Sequence, residues 1–370
     1  MLKALEKQAK HLLSASLRIL LHPKPVPIPT PDQIRRILVI RQHNQLGDML
    51  CIVPLLRGLR SRFPEAYIAL LASPANIEVV RHNRYIDDVI NFDKLALMGR
   101  WGIGLGRMME FISDLRRRRF DMALVPSTVS VSFTSHLWGY LSGAPIRIGV
   151  GSIDGTENPS RYLLTNPHDL DWRISAHRHQ TLRNMDIAEP ISVSTKDLSI
   201  ELTLTPEEVN DGKSIHRNAV YGHSLSIGYH PGAGKAPNCW PAERFAQVVN
   251  TLSRDLGAFA FITSGPMDEA TLEKLVKGLR EPFYPLERMP VRRVASVLAN
   301  LNLVISNDTG IMHVAAAVGV PVLSLFGPTD PLQWAPIGKK HRYIVSKDGM
   351  MESILVEEVL AIAREMLQAK

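Results

Sequence analysis

The chain has 370 residues, 45% of them hydrophobic and 21% charged, and a formal net charge of +7 at pH 7. That length holds two domains of ordinary size, and a mean hydropathy near zero fits a globular polymer rather than a fibrous or disordered one. No apolar run approaches the roughly 20 residues that span a bilayer. No apolar segment with a cleavage site opens the chain, and Cys51 and Cys239 are too few for a disulfide framework, so a reducing, cytoplasmic compartment fits. The basic charge favours anionic partners, whether nucleotide phosphates, nucleic acid or an anionic membrane, and does not choose among them.

Residues 1–21 carry Leu2, Leu5, Ala9, Leu12, Leu13, Ile19 and Leu20 at helical spacing, with Lys3, Lys7, Lys10 and Arg18 among them. Such a helix can lie on an anionic bilayer surface or pack against a domain or a second copy; its periodicity does not separate the two. His22-Pro23-Lys24-Pro25-Val26-Pro27-Ile28-Pro29 reads as an extended tether that closes a leading segment, 1–30. The first domain, 31–195, opens on the strand Arg36-Ile37-Leu38-Val39-Ile40-Arg41. A loop from Gln42 to Leu46 leads into a helix from Gly47-Asp48 to about Phe63-Pro64. Further short strands are expected at Tyr67–Ala72, Asp88–Asn91, Asp121–Val125 and Ile146–Val150, with helices between them, notably Gly106–Arg119 and Ser130–Leu141. That alternation argues for a parallel sheet wrapped by helices. No G-x-G-x-x-G follows the first strand, so a dinucleotide-binding reading loses its main support.

Residues 151–200 are irregular and then helical around Asp169–Met185, and the wet stretch Asp186–Thr205 marks the domain boundary. The second domain, 196–350, repeats the plan with strands at Leu225–Tyr229, Ala258–Thr263, Leu301–Ile305 and Val322–Phe326. After His341–Val345, a final amphipathic helix Met351–Ala369 fills the segment 351–370. Periodicity alone therefore gives two α/β units.

Three stretches carry chemistry. Ser306-Asn307-Asp308-Thr309-Gly310 joins a strand to a helix, so the amides of Thr309, Gly310 and Ile311 should leave a helix N-terminus where the dipole favours an anion. His313, in the first turn, can add a donor; alternatively Asp308 only caps the helix and His313 is a satisfied surface histidine. His230-Pro231-Gly232-Ala233-Gly234-Lys235 follows a strand and offers open amides and a mobile cation to a phosphate, or is a glycine-rich connection with a solvated lysine. Asp48 sits where a parallel sheet places ligands, at the carboxyl end of its first strand; it can serve as a general base or merely cap a helix. The run Arg116-Arg117-Arg118-Arg119 ends a helix and reads first as solvated surface. No Cys/His cluster has metal-ligand spacing.

D-T-G-x-x-H-x-A-A from Asp308 to Ala316, then Gly319-Val320-Pro321 and Gly327-Pro328-Thr329-Asp330-Pro331, resembles the sugar-nucleotide domain of glycosyltransferase family 9. These are the bacterial heptosyltransferases that add ADP-heptose to the lipopolysaccharide inner core. The resemblance runs from about Arg36 to Val345. It implies an α/β GT-B architecture of two facing, doubly wound Rossmann-like domains, the first for the acceptor and the second for the nucleotide sugar. It assigns Asp308, Thr309, Gly310 and His313 to the donor's diphosphate and nearby sugar, with His230, Gly232, Ala233, Gly234 and Lys235 beside them. The family's Arg, short loop and L-G-D match Arg41-Gln42-His43-Asn44-Gln45-Leu46-Gly47-Asp48, which makes Asp48 the general base, His43 the fallback, and Arg41 and Gly47 acceptor-side neighbours. Family members usually carry a lysine two residues before a Trp-Pro; before Trp240-Pro241 this chain has Asn238, and Lys235 could cover the charge.

The implied activity is inverting transfer of a sugar, heptose from ADP-heptose, to a lipopolysaccharide core acceptor at the inner face of the cytoplasmic membrane. No divalent cation and no cofactor beyond the donor is implied. The implied partners are the nucleotide sugar and a lipid-linked acceptor; residues 1–21 offer either a peripheral membrane contact or a packing face, as their periodicity allows. A same-fold transferase using another nucleotide sugar and a surface glycan, and a non-catalytic sugar-nucleotide-binding protein, remain alternatives. Nucleic acid is not expected, because the basic residues lack interleaved aromatics.

Overall fold

The computed structural model describes residues 18–19, 21, 23–43, 45–98, 104–129 and 131–368. The amphipathic helix expected over 1–21 lies almost wholly outside them. The described chain forms two compact units. One takes in the residues up to His43, Pro54–Ile77 and Arg84–Asp197; the other takes in Gln45–Val53, Glu78–Asn83 and Leu198–Lys370. Two short segments that chain order gives to the first unit, 45–53 and 78–83, thus pack with the second.

The first unit is built on strands β1 (Arg36–Arg41), β2 (Tyr67–Ala72), β3 (Asp88–Asn91), β4 (Met122–Val125), β5 (Ile146–Ile153), β6 (Thr156–Glu157) and β7 (Asn166–Leu170). Their order is β3-β2-β1-β4-β5, with β6 antiparallel and β7 parallel on β5. β1 and β4 are buried on both faces, which is why they read as unbroken Val/Ile/Leu runs rather than alternating patterns. The helix expected from Gly47 to Phe63 is instead two helices, Leu46–Leu50 and Val53–Arg62. Pro54 explains the break, because proline belongs in a first helical turn and clashes further in. The helix expected around Asp169–Met185 is instead strand β7, a 3-10 turn at Arg173–Ser175, and the helix Gln180–Asp186, whose first turn is capped by His179 Nδ1 accepting from Thr181 N at 3.1 Å. Pairing with β5, at Ser152↔Asp169 and Ile153↔Leu170, overrode local helical spacing at the start of that stretch.

The arginine run is less free than its sequence suggests. Arg118 donates to Asp88 at 2.5 Å and Asp114 at 3.2 Å, and Arg119 turns the chain at φ 50°. The first unit also buries a histidine. His136, on the helix Phe133–Leu141, is fully enclosed with Nδ1 2.8 Å from Ser160 Oγ.

The second unit holds β8 (Leu225–His230), β9 (Ala258–Ser264), β10 (Phe283–Glu287), β11 (Leu303–Asn307), β12 (Val322–Phe326) and β13 (Arg342–Val345), all parallel, in the order β10-β9-β8-β11-β12-β13. That is the doubly wound order of a Rossmann-like sheet. β10 escaped the sequence reading because Pro285 interrupts it; proline is tolerated there since β10 is an edge strand. One apolar cluster around Trp240, Phe245 and Leu325 and another around Phe261, Met312 and Phe326 form the unit's core. Arg292 is buried, donating to both Glu208 oxygens at 2.5 and 2.6 Å, to Thr203 O, and to Glu78 O at 2.8 Å. It thereby fastens segment 78–83 to the unit and holds the Glu208 carboxyl at about 2.

Burial holds the His136 imidazole down at about 4, against an ordinary value of 6.5. The unfolded chain therefore binds this proton first as pH falls, so the stability tied to neutral His136 is complete above 6.5 and is lost between 6.5 and 4. At about 1.4 kcal/mol per pH unit, roughly 2 kcal/mol should vanish between pH 7 and 5. Urea unfolding of wild type and His136→Gln at both pH values should show a smaller loss in the variant. An equal loss would remove His136 as its source.

Candidate functional site

In the second sheet the strand order reverses between β8 and β11: β9 and β10 lie on one side, β12 and β13 on the other. The connections leaving the carboxyl ends of β8 and β11 turn away from each other, and the crevice between them is where such sheets hold ligands. The pairing Ser306↔His230 brings those ends level. Both glycine-bearing motifs of the second domain therefore meet at one place.

Asn307, fully buried, closes the base of this crevice. Its Nδ2 donates to Pro231 O at 2.8 Å and Gly232 O at 3.2 Å, and its Oδ1 accepts from Trp240 N at 3.2 Å. The next residue, Asp308, is not the helix cap: Thr309 takes the N-cap position of the helix Gly310–Ala317, with no side-chain cap bond. Asp308 Oδ2 instead accepts from Asn238 Nδ2 at 3.3 Å, and Asn238 Nδ2 also reaches Thr329 Oγ1 at 3.1 Å. Burial pushes the Asp308 carboxyl above the usual carboxylate range, opposed by the Thr329 hydroxyl and the Lys235 charge.

On the other wall, His230 is buried. Its Nδ1 lies 2.8 Å from Thr263 Oγ1 and its Nε2 4.0 Å from Asp268 Oδ2. Burial lowers the imidazole pKa, with the Asp268 carboxylate and the Thr263 carbonyl pulling the other way. Asp268 also accepts from Gly265 N at 2.6 Å. A methyl group on Gly232 would lie 2.1 Å from the Asp268 carboxyl carbon, so only glycine lets the loop pass over it. Ala233 is half-buried, and Gly234 and Lys235 are exposed at the mouth.

The short helix Leu46–Leu50 packs on the helix Gly310–Ala317. His313 is buried rather than on the surface, its ring 6.4 Å from that of Trp334 and edge-on to it. A methyl group on Gly47 would lie 2.5 Å from His313 Cδ2, so L-G-D needs its glycine for this approach. Asp48, 6% exposed, lies in the first turn of its helix, and Gln45 holds the N-cap position. Neither aspartate is the simple cap that its position in the sequence allows.

Gly47, Asp48, His230, Gly232, Ala233, Gly234, Lys235, Asp308, Thr309, Gly310 and His313 thus all belong to the second unit. Arg41 and His43 belong to the first. Buried Arg41 donates through Nη1 to Pro126 O, bridging the ends of β1 and β4 where that sheet's order also reverses. The His43 carbonyl accepts from Asn76 Nδ2, and Gln42 Nε2 donates to Ser135 Oγ at 3.3 Å. Asn307, Asp268, Thr263 and Thr329 were not singled out from sequence. Asn307 and Thr329 lay inside quoted motifs without a role of their own, and the one signal for Thr263 and Asp268 was position, at the end of β9 and in the loop after it.

The family model for glycosyltransferase family 9 (heptosyltransferase) matches residues 108–359. The chain belongs to that family. It is a glycosyltransferase of the α/β, GT-B class, and its two parallel sheets are the two Rossmann-like domains of that class. The matched residues include His230–Lys235 and Asp308–His313 but not Arg41–Asp48. Among curated proteins, this family 9 chain is 26% identical over 312 residues to lipooligosaccharide heptosyltransferase 2 of Haemophilus influenzae, covering 80% of this chain and 84% of that one. It is 26% identical over 322 residues to lipopolysaccharide heptosyltransferase 2 of Escherichia coli, covering 84% and 87%. Among solved structures, a family 9 glycosyl transferase from Veillonella parvula superposes with a TM-score of 0.78 at 22% identity, covering 94% of this chain and 100% of that one. These likenesses of structure establish the fold.

Because its carboxyl pKa is raised by burial, folded Asp308 binds a proton more tightly than the unfolded chain does. Its contribution is best below the ordinary value of 3.8 and is lost as pH rises through the folded value, leaving a fixed cost at neutral pH. Asp308→Asn should therefore raise the thermal midpoint at pH 7. The gain should shrink toward pH 4. A midpoint lowered at pH 7 would show that the ionised carboxylate is held by its partners at no cost.

Proposed function

We propose that this family 9 glycosyltransferase moves heptose, with inversion, from ADP-heptose to a lipopolysaccharide core acceptor at the inner face of the cytoplasmic membrane. The observation that carries the reading is the placement, within one compact unit, of a buried carboxylate, Asp48, on a helix packed against the helix that begins at Gly310. The first amides of that helix have no intrahelical acceptor, and its dipole favours a diphosphate there. Lys235 and the glycine loop supply a cation and open backbone on the other side.

In the reaction, an acceptor hydroxyl attacks the donor's anomeric carbon as its bond to the diphosphate oxygen breaks. Asp48 takes the hydroxyl proton, and the leaving diphosphate keeps the bonding electrons. The amides of Thr309, Gly310 and Ile311 together with Lys235 meet the charge that develops on it. His230 is assigned to shaping the loop over Asp268 rather than to proton transfer, since its imidazole is enclosed by Thr263 and Asp268. Arg41 and His43, at the reversal point of the first sheet, are assigned to the acceptor. The relatives support the sugar and acceptor by name, as heptosyltransferases of lipopolysaccharide and lipooligosaccharide. One observation favours a second reading, the same transfer from another nucleotide sugar: Asn238 is neutral where the family usually places a lysine.

Asp48→Asn keeps the shape and loses the base, so turnover should fall by about two to four orders of magnitude with donor affinity little changed. Turnover within threefold of wild type would sink the assignment. Lys235→Ala removes a charge from the diphosphate and should weaken ADP binding by about tenfold, read by calorimetry. Normal binding would show that Lys235 does not stand in for the missing lysine. Calorimetry of Asp48→Asn against ADP-, GDP-, UDP- and dTDP-sugars decides the donor, and preference for a non-ADP sugar selects the second reading.

A further inference from the structure

Among the described residues, the first unit exposes six large apolar side chains, and three of them sit on one pair of helices. Leu95 is 81% exposed on the helix Lys94–Met98, and Leu105 and Met109 are 75% and 58% exposed on the helix Leu105–Arg117. Single exposed apolar residues need no explanation, but a group of three on adjoining elements does. Packing does not account for it. The two helices touch, and their inner side is already filled by Leu97, Met108, Phe111 and Ile112 against a core that includes Phe92, Phe120 and Trp138. Phe111 and Trp138 meet edge to face at 5.2 Å.

The outer side has a charge of its own. At about 100° per residue, Leu105, Met109 and Arg116 fall on one stripe, with Arg117 about 100° further round the outer face; Arg116 donates through Nε to Leu141 O at 3.1 Å. The stripe is apolar over its first turns and basic in its last. Lys94 is exposed next to Leu95 on the shorter helix. Of the two acidic residues on the longer helix, Asp114 is occupied by Arg118 at 3.2 Å and Arg117 at 3.5 Å, which leaves Glu110 against the cations. The helix connects β3 to parallel β4, so it runs back along the sheet, and its apolar start lies at the strand ends that carry Arg41 and His43.

We propose that the outer face of the helix Leu105–Arg117, with Leu95 and Lys94, is a docking surface for an anionic lipid bilayer. Shallow apolar insertion with cations at the headgroups is the chemistry of an interfacial helix. A second copy of this chain fits less well, because a chain of net charge +7 offers little acid to meet the basic end. The surface is drawn from residues 94–117 alone, and its lipid-binding readout does not depend on the transferase reading.

The experiment is sedimentation of the full chain with phosphatidylcholine vesicles, with and without phosphatidylglycerol, at low and high salt. Leu105→Ser with Met109→Ser, and separately Lys94→Glu with Arg117→Glu, should each lower binding to anionic vesicles by about tenfold, the charge pair only at low salt. Ile174→Ser, exposed elsewhere on the unit, should change nothing, and the thermal midpoint and turnover on a soluble acceptor fragment should stay at wild type throughout. The proposal is overturned if wild type ignores anionic vesicles, or if either pair leaves binding unchanged. It is overturned equally if light scattering shows that the apolar pair dissolves an oligomer, which would give the face to a second copy.

Discussion

The second unit depends on one amide. Where two parallel strands send their connections in opposite directions, backbone cannot fill the space between them, and the loops on either side share no ladder. Asn307 supplies the missing bonds: its side chain donates to the carbonyls of Pro231 and Gly232 and accepts from Trp240. An asparagine is suited to this because it carries a donor and an acceptor on one planar group and has no charge to desolvate. With it in place, the strand end at Asn307 and the loop after His230 form one rigid cradle, and residues far apart in sequence keep a fixed spacing.

That cradle is held together at some electrostatic cost. Asp308 and Asp268 are both carboxylates in enclosed positions beside a site proposed for a diphosphate. Asp268 lies under Gly232 and takes a backbone N–H, so its charge is spent on loop geometry. Asp308 is steadied by neutral groups, Asn238 and Thr329, with Lys235 as a nearby charge. A carboxylate placed as Asp308 is lowers stability, and a fold keeps such a group where function repays the loss. The first unit shows the contrast. Its arginine run, the most conspicuous charge in the sequence, is largely taken up by local ion pairs around Arg118.

Much of this was legible in the sequence, for physical reasons. β1 and β2 were placed at the observed residues because central parallel strands must be apolar on both faces, and such runs stand out between charges; the edge strand β3 was placed there too, on a shorter and more polar run. The family followed from D-T-G-x-x-H and its neighbours, and the family model bears it out. What failed to show were elements fixed by distant partners. β7 is a strand because β5 lies beside it, although its residues read as irregular and, from Asp169, as helix, and β10 holds a proline that only an edge strand accepts. The expected helix 47–63 ignored Pro54, although that signal was present. At the site, the motif glycines were legible and their reasons were not: that Gly47 answers to His313, or Gly232 to Asp268, is a fact of tertiary packing.

The position of Asn238 shows how the two levels meet. Read in sequence, it is a lysine lost from a phosphate site, and the expectation is a weaker or altered donor. In the structure it bonds to Asp308 and Thr329, and so joins the Thr329 hydroxyl in orienting a carboxylate beside the proposed diphosphate. A lysine there would neutralise Asp308 directly and leave its remaining donors for the phosphate. The amide orients Asp308 without neutralising it and leaves the charge to Lys235, which stands exposed on a mobile stem three residues earlier. In the proposed site the cation therefore sits not on the enclosed wall of the crevice but at its mouth. There it is better hydrated, more easily screened by salt, and free to reach a phosphate only once one has arrived. On this reading donor binding in this chain leans on backbone amides and the helix dipole more than on fixed side-chain charge, and its salt dependence belongs to Lys235.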